Sequence, residues 1–207
     1  MVLIMVAMQD EFDGVITHVD VTEKNDFPFY YIGKIQNKKV IIAKSGIGKV
    51  NASAILTFIL NKFSIDLIIN IGFAGAIGNY EAGEVVLINS AQYFDVDNTV
   101  WGYNIGQIPQ MPSKYENTIS IGLFKKETLY TSDSFISSAP SSIVSAIFDM
   151  EGCALLQTGY LFNRKILMIK IISDIINSQN HIDFLDFISI GKMVISKTIN
   201  EVLLLLP

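Results

Sequence analysis

Apolar residues fall along this chain in short dense runs separated by glycine and polar turns, the pattern of buried strands alternating with amphipathic helices. Val2-Leu3-Ile4-Met5-Val6-Ala7 predicts a first buried strand, and polar Gln9-Asp10-Glu11 then enters a short helix or turn. Residues 29–32 and 39–43 predict a strand pair joined by the turn Gln36-Asn37-Lys38. Residues 50–63 carry helical periodicity. Residues 66–72 form another buried strand, running into the small-residue loop Gly72-Phe73-Ala74-Gly75-Ala76. Strands follow at 84–90, 129–131 and 166–172, with helices at 151–162 and 184–206. A long irregular stretch, 94–114, holds Trp101 and Tyr103, and loops of that length are usually functional or lie at interfaces. Strands alternating with helices across glycine turns indicate one α/β domain over 1–207, a three-layer α/β/α sandwich around a central mixed, twisted sheet.

Three acids stand out against this pattern. Glu151 follows the apolar run Ile147-Phe148 and opens a helix, Asp174 ends the β-branched run at 166–172, and Glu11 follows the first strand. A carboxylate at the mouth of a sheet sits where α/β proteins place ligands. Helix capping accounts for Glu11 and Glu151 taken singly, since acids are favoured at helix N-termini. It would have to account for all three at once, so a site that handles protons and hydroxyls is the better reading.

Composition narrows the classes. Hydrophobic residues are 50% of the chain and charged residues 17%, and mean hydropathy is +0.42. No apolar stretch reaches the roughly 18 uncharged residues of a membrane helix, so the excess is assigned to a buried sheet and an oligomer interface. A net charge of −5 without a basic cluster argues against nucleic acid. The single cysteine, Cys153, excludes an intrachain disulfide, and the N-terminus lacks a charged leader region, so the cytoplasm is expected. No histidine or cysteine grouping has metal-ligand spacing, and neither metal nor cofactor is expected. His18 reads as a surface residue, and His181 as a helix cap or a ligand contact. Ser45-Gly46-Ile47-Gly48-Lys49 reads either as a phosphate cradle at a helix N-terminus or as a tight strand-to-helix turn.

Taken in order, Ala7-Met8-Gln9-Asp10-Glu11, Lys44-Ser45-Gly46-Ile47-Gly48-Lys49-Val50, Asn70-Ile71-Gly72-Phe73-Ala74-Gly75, Met150-Glu151 and Ile172-Ser173-Asp174 resemble the 5′-methylthioadenosine/S-adenosylhomocysteine nucleosidases of the purine nucleoside phosphorylase superfamily. The resemblance runs nearly end to end. It implies hydrolysis of a nucleoside's N-glycosidic bond with release of adenine. Asp174, beside Ser173, would be the general acid at the purine, and Glu11 would position and deprotonate the water. Glu151 would hold ribose hydroxyls, with Met150 against the sugar and Gly75 and Lys170 in the same site. Phe135 would stack on adenine and the Ile136 backbone would read its edge. Met8, Ile47 and Phe184 would line the alkylthio pocket, while Trp101 and Pro109 would come from the partner subunit of a homodimer.

Two residues depart from the resembled pattern. Phe73 stands where those nucleosidases usually have serine, putting a bulky apolar ring near the ribose or into the core. Lys170 replaces an arginine, keeping the charge and losing the bidentate fork. Two rival readings share the fold: a phosphate-dependent phosphorylase, which needs cations at the site, and a nucleoside-binding protein without catalysis. Arg164, the single arginine among fifteen basic residues, lies away from every motif.

Overall fold

The run Val2–Val6 (β1) forms the spine of a mixed sheet, pairing in parallel with Lys38–Lys44 (β4) on one side and Leu67–Ile77 (β5) on the other. Strands flanked on both edges and covered on both faces read as continuous apolar runs, which is why these segments are legible in the sequence. The computed structural model describes residues 1–117, 119, 121–122, 124–176 and 184–206, with backbone alone for 184–186. His181 and the side chain of Phe184 lie outside the described residues.

Two antiparallel strands extend the sheet beyond β4. Phe29–Ile35 (β3) pairs with β4 through a two-residue turn in which Gln36 and Asn37 both have positive φ, the left-handed geometry that tight hairpins require. Asp20–Asp26 (β2) forms the outer edge. Its sequence, Asp-Val-Thr-Glu-Lys-Asn-Asp, shows no apolar alternation because both faces meet solvent, and the pattern reading passes over it. Charges on an exposed edge also discourage pairing with another chain.

On the other side the sheet closes on itself. Ile166–Ile175 (β10) pairs in parallel with β5 and antiparallel with Val85–Tyr93 (β6). β6 pairs with Lys125–Thr131 (β8), β8 with Ala146–Asp149 (β9), and β9 returns to β5. A two-residue strand, Tyr115–Glu116 (β7), hangs from β6. Residues 72–76, read from sequence as a loop, continue β5 and pair with β10 throughout. Their small side chains serve close approach, not a turn.

Among the described residues there are four α-helices: α1 (Gln9–Ile16), α2 (Lys49–Lys62), α3 (Gly152–Leu161) and α4 (Phe184–Leu205). Alternation along β1 divides the core between them. Leu3 and Met5 pack with Leu56 and Ile59 of α2 and with Cys153 and Leu155 of α3. Ile4 and Val6 pack with Phe12 and Val15 of α1 and with Ile195 and Ile199 of α4. Phe73 belongs to the second cluster: its ring meets Phe187 edge-on at 5.7 Å, and a Cβ built on Gly191 would lie 2.5 Å from Phe73 Cε1. Gly191 therefore makes room on α4 for the phenyl ring. We predict that Phe73→Ser destabilises the fold by about 3–5 kcal/mol, as for other large-to-small aromatic truncations in cores. Urea unfolding reads this directly, and a loss below about 1 kcal/mol would place the ring outside the core.

Candidate active site

β5 has one edge that changes partners. β1 pairs with it as far as Asn70, and β9 takes over only at Gly75. Between these points the strand has backbone groups to satisfy on that side and no neighbouring strand to satisfy them. Glu11 fills the notch. Its Oε1 accepts the Phe73 N–H at 2.8 Å, while Oε2 accepts the Ala7 and Met8 N–H groups at 2.7 and 2.9 Å. The reach back to Met8, three residues earlier, is half of a helix capping box. The side chain that caps α1 is the one that also reaches β5.

Gly72 makes this approach feasible, since a Cβ there would stand 2.7 Å from Glu11 Oε1. A carboxylate offers about four acceptor positions; three N–H groups leave one, on Oε1, and Glu11 lines the cavity described next. Burial raises the Glu11 pKa, outweighing the three N–H donors and the nearby Lys170 charge.

A cavity of about 220 Å³ opens over this notch. Asp174 enters it from β10 by way of a bulge: the β5–β10 register slips between Ile172 and Asp174. In a regular strand, successive side chains face opposite ways; the bulge turns both Ser173 and Asp174 into the cavity. Ser173 Oγ donates to Asp174 Oδ1 at 2.6 Å, and Gly75 leaves space opposite, where a Cβ would lie 3.1 Å from Asp174 Oδ2. Asp174 thus sits inside β10, beyond the strand end expected at Ile172.

Glu151 precedes α3, and its Oε1 accepts the Gly48 N–H at 2.8 Å. Gly48 holds φ of 102°, so glycine is needed where the chain turns into α2. The adjoining Lys49 N–H donates to Asp133 Oδ1 at 2.9 Å. The Gly48 and Lys49 N–H groups of the candidate phosphate cradle are therefore occupied by carboxylates of the chain itself, those of Ser45 and Gly46 by the Val6 and Ala7 carbonyls, and residues 45–49 are a strand-to-helix turn.

Met8, Ile47, Phe73, Gly75, Phe135, Ile136, Met150 and Ser173 line the cavity together with Glu11, Glu151 and Asp174. Lys170 does not. It lies buried beneath, its Nζ 2.8 Å from Asp149 Oδ2, and the surrounding carboxylates raise its pKa against the opposing effect of burial. Trp101 and Pro109 are also absent from the cavity lining; Trp101 stands 69% exposed on a 3-10 turn, Thr99–Trp101. The sequence reading missed Asp149, a cavity residue that accepts Thr131 Oγ1 at 2.6 Å and the Gly152 N–H at 2.8 Å. Its signal in the sequence is its place at the end of the apolar run Ala-Ile-Phe-Asp of β9, two residues before Glu151.

Residues 1–204 match the phosphorylase superfamily. The chain belongs to that family. Within it, the 5′-methylthioadenosine/S-adenosylhomocysteine nucleosidase of Maridesulfovibrio salexigens is 36% identical, over 83% of this chain and 84% of the relative. A Borrelia burgdorferi B31 structure of a protein described as the same nucleosidase, bound to adenine, superposes with a TM-score of 0.88 at 31% identity, covering 100% of both chains. The Streptococcus pneumoniae nucleosidase with a transition-state inhibitor gives 0.83 at 26% identity, covering 96% of each.

Burial and the neighbouring Asp149 charge push the Glu151 pKa up to about 7 from an ordinary 4.5. A carboxyl raised on folding contributes stability that is complete below its unfolded pKa and lost as pH rises through the folded one. The fold should therefore lose stability between 4.5 and about 7 on account of Glu151. Melting temperatures measured across that window should fall less for Glu151→Gln than for the wild type; parallel curves would mean that Glu151 titrates normally.

Proposed function

We propose that the protein hydrolyses the N-glycosidic bond of 5′-methylthioadenosine, S-adenosylhomocysteine or both, releasing adenine and the thioribose product. One observation carries this reading: four carboxylates, Glu11, Asp149, Glu151 and Asp174, line the cavity, and among its described lining residues there is no lysine or arginine. Such a wall suits a sugar that becomes cationic as its glycosidic bond breaks. It suits a phosphate anion poorly. Lys49 is held by Asp95, Lys170 by Asp149, and Lys44 donates to Gln9 Oε1 at 2.6 Å.

Each step falls to a named group. The bond from C1′ to the purine breaks, the water oxygen bonds to C1′, and a proton goes to the base. Glu11 takes the water's proton through its remaining acceptor position, its raised pKa making it the stronger base. Asp174 donates to a purine ring nitrogen, with Ser173 fixing its orientation. Glu11 abuts Gly72 and Asp174 abuts Gly75, three residues further along β5, and both acids line the same cavity. Glu151 holds the ribose hydroxyls above Met150. Phe135 stacks on adenine and the Ile136 backbone reads its edge, while Met8 and Ile47 receive the alkylthio group.

The same reading makes the chain one three-layer α/β/α domain, with α2 and α3 on one face of the sheet and α1 and α4 on the other. It also makes the protein a cytoplasmic homodimer in which Trp101 and Pro109 complete the partner's site. Val100, Trp101 and Ile105 are all exposed apolar residues in the 94–114 segment, which supports burial against a second copy.

Purified protein incubated with each nucleoside should release adenine at a rate independent of added phosphate. Strict phosphate dependence would make it a phosphorylase, and binding without release a non-catalytic relative. Asp174→Asn should lower turnover by about 100- to 10,000-fold with the fold intact, because an amide delivers no proton. Near-normal hydrolysis by that variant would remove Asp174 from the role.

A further inference from the structure

The aromatic side chain proposed to stack on the base has little holding it in place. Phe135 is 66% exposed, so packing does not fix its position. The root of its loop does. Asp95, two residues past β6, accepts the Asp133 N–H at 2.9 Å on Oδ2, which also lies 3.3 Å from Ser132 Oγ. Ser132 Oγ in turn accepts the Ser134 N–H at 3.0 Å. Lys49 Nζ lies 2.7 and 2.9 Å from the two Asp95 oxygens and 3.4 Å from Asp133 Oδ2, and its own N–H holds Asp133 Oδ1. Ser134, Phe135 and Ile136 then enter the cavity, whereas Lys49, Asp95 and Asp133 do not line it.

We infer that Lys49 and Asp95 are positioning residues for the base subsite, locking residues 132–134 so that Phe135 and Ile136 meet a purine in a fixed place. This deepens the proposed nucleosidase reading and rests on it. The lock shares a turn with the ribose subsite, because Gly48 N–H holds Glu151 one residue before Lys49 N–H holds Asp133. One turn therefore sets the spacing between sugar and base. Lys49 is bonded to both carboxylates across three segments of chain, and such multiply bonded charge pairs are far better defined than single surface ion pairs.

The test compares binding of adenine with binding of the base-free product 5-methylthioribose, together with KM and kcat. Asp95→Ala should weaken adenine binding and raise KM by about five- to tenfold, the net worth of one intramolecular hydrogen bond. Its kcat and its affinity for the sugar should stay within about twofold of the wild type, below what the loss of one such bond produces. Lys49→Met should do the same, and Lys49→Arg, which can still bridge two carboxylates, should restore adenine binding. Should Asp95→Ala not fold, Asp95→Asn keeps an acceptor for the Asp133 N–H while losing the Lys49 ion pair, and the same comparison applies. Unchanged adenine affinity in the folded variants overturns the inference, and so does an equal loss of adenine and sugar binding, the mark of a merely structural role. Wild-type protein that binds no adenine overturns the nucleosidase reading itself and this inference with it.

Discussion

A strand that must exchange one neighbour for another leaves backbone groups exposed at the exchange, and Glu11 resolves that constraint here. Three N–H groups from two segments, Ala7 and Met8 after β1 and Phe73 in β5, converge on one buried carboxylate. Where β1 has left β5 and β9 has yet to join it, the Phe73 N–H thereby finds its acceptor. The cavity lies over that exchange. Gly72 is fixed by the same interaction, since any side chain there would displace the carboxylate.

Negative charge accumulates around this point, and the fold manages it by burial and by one cation. Lys170 sits beneath the cavity floor in contact with Asp149, and its charge also reaches Glu11 and Glu151. Asp149 ties that lysine to Thr131 and to the first N–H of α3. The helix and three strands, β8, β9 and β10, thus share one hydrogen-bonded centre. Breaking a buried pair of this kind leaves an uncompensated charge, which is strongly destabilising.

The Phe135 and Glu151 sides of the cavity are organised by backbone and charge more than by packing. Phe135 depends on the Asp95–Lys49 bridge, and Glu151 depends on the Gly48 amide. Both anchors come from the turn before α2. A stretch of sequence that resembles a phosphate cradle instead holds two carboxylates of its own chain, which turns an anion-binding geometry into an internal fastening.

Much of this was legible in the chain itself. The apolar runs of β1, β4 and β10 declare strands because both their faces are covered, and Glu11, Glu151 and Asp174, each following such a run, line one cavity. Sequence order also carried the family resemblance, since the glycines and acids recur at fixed places along the chain. β2 was hidden because an edge strand wetted on both faces has no apolar period. Residues 72–76 looked like a loop because small residues signal turns as readily as close approach, and only the arrival of Glu11 and Asp174 distinguishes the two. Lys170 looked like a ligand contact, yet its depth depends on Asp149, distant by 21 positions along the chain but 2.8 Å away in space. Local pattern fixes which residues are buried and which are acidic. Which acid meets which amide is settled by long-range pairing, and that exists only once the sheet has closed.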